Sequence, residues 1–291
     1  MDNLEKETKQ IMRENGIYAN KSLGQNFLIR EDIVTSIVEK AGIGPKDGVI
    51  EIGPGLGTLT KYLLEKAGKV VAIELDSRMI NILNKRFEDK ANFELIYGDV
   101  LKVTLKEVIE KMKNEGMEKV KVVANLPYYI TTPIIMKLLE EKLEIKSITV
   151  MVQKEVAQRL TATPGEEYTG AITYTINYYT NPSTIIEVPK DCFLPAPEVD
   201  SSVIQLEVLP QPKVEVKDEE EYFKLIKVAF MQKRKTLVNS LENGKIATKK
   251  EIEEALAELG IDTKIRAEKL SLEDFAKIHE KFTNKWLTGH K

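Results

Sequence analysis

The run Ala124-Asn125-Leu126-Pro127-Tyr128 carries residue types that can hold and activate an amine. Pro127 has no N–H, has a fixed φ and drives Leu126 out of the helical region. The Leu126 carbonyl is therefore expected to project rigidly, and the Asn125 side chain adds a second oxygen. Two acceptors match the two N–H bonds of an exocyclic amine, and Tyr128 offers a flat face for a purine ring. An adenine N6 lone pair is delocalised into its ring, which makes it a poor nucleophile. Hydrogen bonds from both protons favour a tetrahedral nitrogen that can take a methyl group in line from a sulfonium. Positioning and electrostatics can supply such catalysis without a histidine base. Taken alone, the same residues also fit a plain strand-to-turn exit with an aromatic neighbour.

A target base must leave its stack, at a cost of about a few kcal/mol. Aromatic sandwiching contributes about 1–3 kcal/mol per base. Phe193, in Cys192-Phe193-Leu194-Pro195-Ala196-Pro197, is the second candidate platform beside Tyr128, its two nearby prolines favouring a stiff wall. A core phenylalanine is the competing reading.

Val49-Ile50-Glu51-Ile52-Gly53-Pro54-Gly55-Leu56-Gly57 is an apolar run into alternating glycines, followed by a helix pattern. Glycine permits a tight turn and close approach of a ligand to the backbone. The helix start behind it offers free N–H groups. The spacing is G-x-G-x-G, whereas the dinucleotide fingerprint is G-x-G-x-x-G. An ordinary loop and a nicotinamide site stay open at this point. Glu74 ends the run Val70–Glu74, where a carboxylate can accept ribose hydroxyl protons. Asp99, in Gly98-Asp99-Val100, can accept from an adenine amino group. Each acid alone also fits a solvated strand end. Together they outline a pocket for an adenosine with an amino-acid tail.

These turns need a scaffold. From about Lys46 to Leu209, apolar runs alternate with helix-like stretches, which predicts α/β with a mainly parallel sheet. The expected strands are Val49–Ile52, Val70–Glu74, Phe93–Tyr97, Lys121–Ala124, Ile148–Val152, Ser183–Val188 and Ser202–Glu207. Helices are expected at Leu4–Glu14, Ile33–Ala41 (with Asp32 as its cap), Thr58–Lys66, Ser77–Phe87, Leu105–Met112, Pro133–Glu141 and Lys154–Leu160. Pro210-Gln211-Pro212 resembles a linker. Beyond it the pattern is helical: Glu219–Met231, Lys249–Glu258 and Ser271–Phe282. Two domains are expected, a catalytic one over 1–209 and a helical one over 210–291.

Composition narrows the classes. The chain has 291 residues, 42 % of them hydrophobic, enough for a real core. No apolar run reaches about 18 residues, so no membrane span is expected. The charged N-terminus lacks the apolar centre of a secretory signal peptide, and cytoplasmic residence is the default. A single cysteine, Cys192, and two histidines, His279 and His290, give no disulfide, no zinc cluster and no histidine triad. The formal charge of −3 neither requires nor excludes nucleic acid. Between Tyr222 and Leu241 the charged side chains are all basic: Lys224, Lys227, Lys233, Arg234 and Lys235. They can contact phosphates or form a solvated helix face.

Lys21-Ser22-Leu23-Gly24-Gln25-Asn26-Phe27-Leu28 resembles the N-terminal motif of the ribosomal RNA adenine N6,N6-dimethyltransferases. Glu51–Gly57, Glu74, Gly98-Asp99, Asn125–Tyr128, Phe193–Val199 and Gln232-Lys233-Arg234-Lys235-Thr236-Leu237 resemble its later motifs in order. The resemblance covers nearly the whole chain and is greatest to the small-subunit, kasugamycin-sensitivity branch. It implies a class I, Rossmann-like methyltransferase with a seven-stranded, mostly parallel sheet and a small all-helical C-terminal domain. It implies S-adenosylmethionine as cofactor, held by Gln25, Asn26, Leu28, Gly53, Gly55, Glu74, Asp99, Val100 and Asn125. It implies that Asn125, Leu126, Pro127 and Tyr128 hold the target amine and base, that Phe193 stacks on it, and that Lys233, Arg234 and Lys235 bind RNA. The implied partner is small-subunit rRNA within an assembling 30S subunit, met in the cytoplasm by a monomer. Alternatives are a large-subunit enzyme of the macrolide-resistance type, a nicotinamide-dependent oxidoreductase and a mainly non-catalytic assembly factor.

Overall fold

The structure is a computed structural model and describes residues 3–18, 25–232 and 234–286. The chain divides into two compact units, Met1–Ala157 with Ser183–Val208, and Gln158–Pro182 with Leu209–Lys291.

The first unit holds most of a seven-stranded sheet. Its strands are β2 (Asp47–Ile52), β3 (Lys69–Glu74), β4 (Phe93–Tyr97), β5 (Lys119–Asn125), β6 (Ser147–Gln153), β7 (Thr180–Val188) and β9 (Ser201–Val208), in the order β4-β3-β2-β5-β6-β9-β7. Strands β4, β3, β2, β5 and β6 pair in parallel, and β9 runs antiparallel to β6. A separate two-stranded pair joins β1 (Phe27–Leu28) to β8 (Phe193–Leu194). Every residue of β2 is buried, as a strand covered on both faces requires. Helices α1 (Asn3–Glu14), α2 (Glu31–Lys40), α3 (Thr58–Lys66), α4 (Ser77–Phe87), α5 (Leu105–Asn114), α6 (Thr131–Glu140) and α7 (Lys154–Thr161) alternate with the strands. Helix α4 buries Met79, Ile82, Leu83 and Phe87, one stripe at helical spacing. Asp76 caps it, accepting from the Arg78 N–H at 3.0 Å.

Asp32 does not cap α2, contrary to expectation. The N-cap is Arg30, without a side-chain cap bond. Asp32 lies in the first turn and pairs with the Arg30 guanidinium at 2.7 Å, a favourable place for an anion at a helix start.

Gly57 begins α3 at φ 79°. A Cβ there would meet Phe87 Cε2 at 2.6 Å and Leu83 Cδ2 at 3.1 Å. Gly57→Ala is expected to destabilise the chain by about 1–3 kcal/mol through overpacking, with the left-handed backbone adding to the loss. A urea midpoint equal to that of the unsubstituted chain would show that the ring yields freely.

The second unit is helical: α8 (Ala171–Tyr179), α9 (Glu219–Phe230), α10 (Leu237–Asn243), α11 (Lys249–Glu258) and α12 (Leu272–Trp286). The expected boundary at 209/210 fits only one crossing of the chain. Residues 158–182 also belong to this unit, because Tyr174 and Tyr178 of α8 are buried in its core with Tyr222, Leu225 and Phe275. The Tyr174 hydroxyl donates to the Leu270 carbonyl at 2.7 Å. Helix α12 starts where Ser271 and Asp274 cap each other, each backbone N–H donating to the other's side chain at 3.0 Å.

Candidate active site

A cleft of about 1320 Å³, mouth included, opens at the carboxyl ends of the parallel strands. The glycine turn after β2, Glu74 at the end of β3, Asp99 after β4 and the Asn125–Tyr128 turn after β5 all line it. Adjacent pairing explains the convergence: Ile52 sits beside Ile73 on one side and beside Ala124 on the other. Gln25, Asn26, Leu28, Gly53, Gly55 and Val100 line the same cleft, together with Leu126 and Pro127.

Gly53 and Gly55 adopt φ of 67° and 57°, backbone that favours glycine. A Cβ on Gly53 would find nothing nearer than Leu126 Cδ2 at 3.9 Å, so the space above the turn is open. The Gly55 N–H donates to Glu74 Oε2 at 3.0 Å, and the Leu75 and Asp76 N–H groups donate to Oε1 at 2.8 Å each. Burial pushes the Glu74 pKa up against those three donors. Asp76 is held by the Arg78 guanidinium and by Gln25 Nε2 at 2.9 Å, and its pKa is lowered, chiefly by Arg78. Gln25 is thereby tied to the acidic edge of the cleft. Asp99 Oδ1 accepts the Leu101 N–H at 3.0 Å.

Asn125 donates from Nδ2 to the Asn26 carbonyl at 3.4 Å. A carbonyl partner fixes the amide's nitrogen, which leaves Oδ1 as the acceptor. The Pro127 carbonyl is engaged by the Ile130 N–H at 3.1 Å and the Thr131 hydroxyl at 3.2 Å. The Leu126 carbonyl accepts no such bond among the described residues. Tyr128 is fixed by its hydroxyl, 2.8 Å from Ser201 Oγ. Burial raises its pKa, so it stays protonated at neutral pH.

Phe193 is 3 % exposed, lies in β8 opposite the cleft-lining Leu28 and packs into the core of the first unit, and it is not among the residues that line the cleft. Lys233 and Lys21–Gly24 lie outside the described residues. Arg234 and Lys235 are exposed in the turn between α9 and α10 of the second unit.

Two acidic lining residues, Asp76 and Glu51, had no assigned role in the sequence reading. Asp76 follows Glu74 by two positions, and its signal was only an N-cap preference. Glu51 is 1 % exposed, and its Oε2 has no hydrogen-bond partner. Burial pushes its pKa up to about 8, with Thr60 opposing and the Glu74 charge adding to the rise. The Arg86 guanidinium of α4 donates to the Leu56 carbonyl inside the glycine turn and to Glu7 of α1. Among the described residues no group of histidine, cysteine and carboxylate side chains could hold a metal ion, and no helix is long and apolar enough to cross a membrane.

The mostly parallel sheet, with strand ends converging on one cleft, has the Rossmann-like fold of methyltransferases. More narrowly, the chain belongs to the ribosomal RNA adenine dimethylase family, whose model matches residues 16–284. It is 48 % identical over 274 residues to the ribosomal RNA small subunit methyltransferase A of Bacillus cytotoxicus, covering 93 % of this chain and 94 % of that protein. The protein of the same name from Alkaliphilus metalliredigens is 48 % identical over 272 residues, again covering 93 % and 94 %. Among solved structures, a dimethyladenosine transferase from Plasmodium falciparum matches with a TM-score of 0.74 and 29 % identity, covering 89 % of this chain and 98 % of that one. The 23S rRNA methyltransferase ErmE shares the fold, with a TM-score of 0.67 at 24 % identity over 89 % of this chain and 100 % of that one.

Proposed function

We propose that this chain transfers methyl groups from S-adenosylmethionine to N6 of two adjacent adenosines near the 3′ end of small-subunit rRNA, forming N6,N6-dimethyladenosine. The observation that carries the reading is the sharing of one cleft by the glycine turn and the Asn125–Tyr128 turn. The lining suits an adenosine with an amino-acid tail. It offers open space above Gly53, a carboxylate at Glu74 for the ribose, Asp99 for the adenine amine and an unpartnered buried oxygen on Glu51 for a cationic tail. Gln25, Asn26, Leu28, Gly55 and Val100 complete that surface.

When bound, S-adenosylmethionine supplies a methyl group on a positively charged sulfur. The chain's own residues do the rest. Asn125 Oδ1 and the Leu126 carbonyl accept the two N–H bonds of the target amine and draw its nitrogen toward a tetrahedral shape. Tyr128 holds the ring plane, and the apolar cleft walls exclude water. The nitrogen gains the methyl group as the carbon–sulfur bond breaks, becomes positively charged and gives up one proton to solvent at the cleft mouth. A single N–H then remains, which one acceptor can still hold. The assignment to small-subunit RNA rests on the relatives' names and on the shared motifs. Lys233, Arg234 and Lys235 are proposed phosphate contacts. The proposed setting is an assembling 30S subunit in the cytoplasm, met by a monomer, with a part in subunit biogenesis.

The test is mass spectrometry of rRNA after incubation of small and large subunits with the protein and methyl-labelled cofactor. Label confined to two neighbouring adenosines of small-subunit rRNA is the expected result. Label in large-subunit rRNA, or none, would overturn the reading.

A further inference from the structure

The turn after β5 presents two consecutive tyrosines in opposite circumstances. Tyr128 is half-buried and pinned to Ser201. Tyr129 is 61 % exposed yet lines the same cleft, so its ring stands at the mouth. Its backbone is not loose, because the bonds from Ile130 and Thr131 to the Pro127 carbonyl close the turn on either side. A single exposed aromatic residue on a protein surface needs no explanation. An exposed ring at the entrance of a cleft, held on a pinned turn and next in sequence to the ring proposed to hold the target base, is a different case. Leu75, 53 % exposed, also lines the cleft, so apolar surface is offered to more than one side of the opening.

We propose that Tyr129 is the stacking platform for the nucleotide adjacent to the one being modified. The inference rests on the proposed RNA substrate and adds a second base subsite to it. When one of two neighbouring adenosines is extruded into the cleft, the other loses a stacking partner and exposes a bare purine face. A flat ring at the mouth replaces that partner. Stacking of a base on the ring neutralises no phosphate, so it releases no counterion and adds little to the salt dependence. The ring also gives the chain a reason to favour a purine beside its target, because stacking grows with ring area. Once the first adenosine has been modified and released, the neighbour is already at the entrance. The subsite thus suits a substrate with two targets side by side.

The experiment compares Tyr129→Ala and Tyr129→Phe with the unsubstituted protein, using small subunits as substrate. A parallel set of subunits carries 2-aminopurine in place of the base next to the target. Stacking is worth about 1–3 kcal/mol per base, so the alanine variant is expected to raise KM for subunits about tenfold. Its kcat should change less than KM, and its affinity for S-adenosylhomocysteine should not change. The phenylalanine variant should stay within about twofold of the unsubstituted protein, because the ring is what matters. The 2-aminopurine should be brighter in complex with the alanine variant than with either tyrosine or phenylalanine at 129. An alanine variant with unchanged KM and unchanged fluorescence would overturn the proposal. So would a phenylalanine variant as impaired as alanine, or a matching loss of S-adenosylhomocysteine affinity, which would place the ring in the cofactor site. Failure of the unsubstituted protein to methylate small subunits would instead remove the functional reading beneath it, and the proposal with it.

Discussion

Asn125→Ala is expected to lower methyl transfer by about 10²–10³-fold, the usual loss when one preorganised polar group is taken from a reacting centre. The substitution removes the Oδ1 acceptor and the bond to the Asn26 carbonyl together. Asn125→Asp separates the two. It keeps an acceptor oxygen but cannot donate to Asn26, so its rate should fall between those of alanine and asparagine. Single-turnover methylation with saturating cofactor is the measurement, since it reads the chemical step alone. Asn125 is partly exposed at the end of β5, so neither variant should lose more than a little thermal stability. A rate for the alanine variant within about threefold of the original would remove Asn125 from the reacting centre, whatever the affinity for RNA.

The second large effect concerns stability against pH. The Glu51 carboxyl, in the cleft lining, is buried, and its folded pKa is pushed up to about 8 against an ordinary value of 4.5. Between those values the folded chain binds a proton that the unfolded chain has released. Stability therefore falls as pH rises through that window. It is fully present below about pH 4.5 and fully lost above about pH 8. Each pKa unit corresponds to about 1.4 kcal/mol, so the change amounts to several kcal/mol as an order of magnitude. Glu51→Gln keeps the shape and has no proton to lose. Urea midpoints should agree near pH 5, and the glutamine variant should be the more stable by pH 9. Parallel curves for the two proteins across that range would show that Glu51 keeps an ordinary pKa.

Much of the first unit was legible in the residues because parallel strands covered on both sides must be continuously apolar. Val70–Glu74 and Ile148–Val152 therefore fell within a residue of their observed bounds. Helices with a clear apolar stripe, such as Ser77–Phe87, were equally plain. The cleft was legible because its parts sit where strands end, at glycine, acid or proline. Helix α8 was not, since Ala171–Tyr179 is rich in β-branched and aromatic residues, which weaken a helical signal. Packing among Tyr222, Phe230 and Phe275 decides its form. That packing also places residues 158–182 in the second unit, a long-range event with no local mark. Phe193 shows the converse. Proline neighbours suggested a fixed wall, but nothing local tells that the ring packs among the core side chains of the first unit. Glu51 was read as part of the glycine run, and only burial exposes its cost.

Arg86 reaches two distant stretches of chain at once. One end of its guanidinium holds the carbonyl of Leu56, and the other holds Glu7, whose second oxygen meets Lys61 at 3.1 Å. The first helix is thereby wired to the loop that shapes the binding surface, although it touches none of that surface itself. Docking of α1 and tautness of the loop become one cooperative event. A disturbance that peels the N-terminus away, whether by cleavage or by a competing contact, is transmitted as a slackened grip several turns of chain downstream.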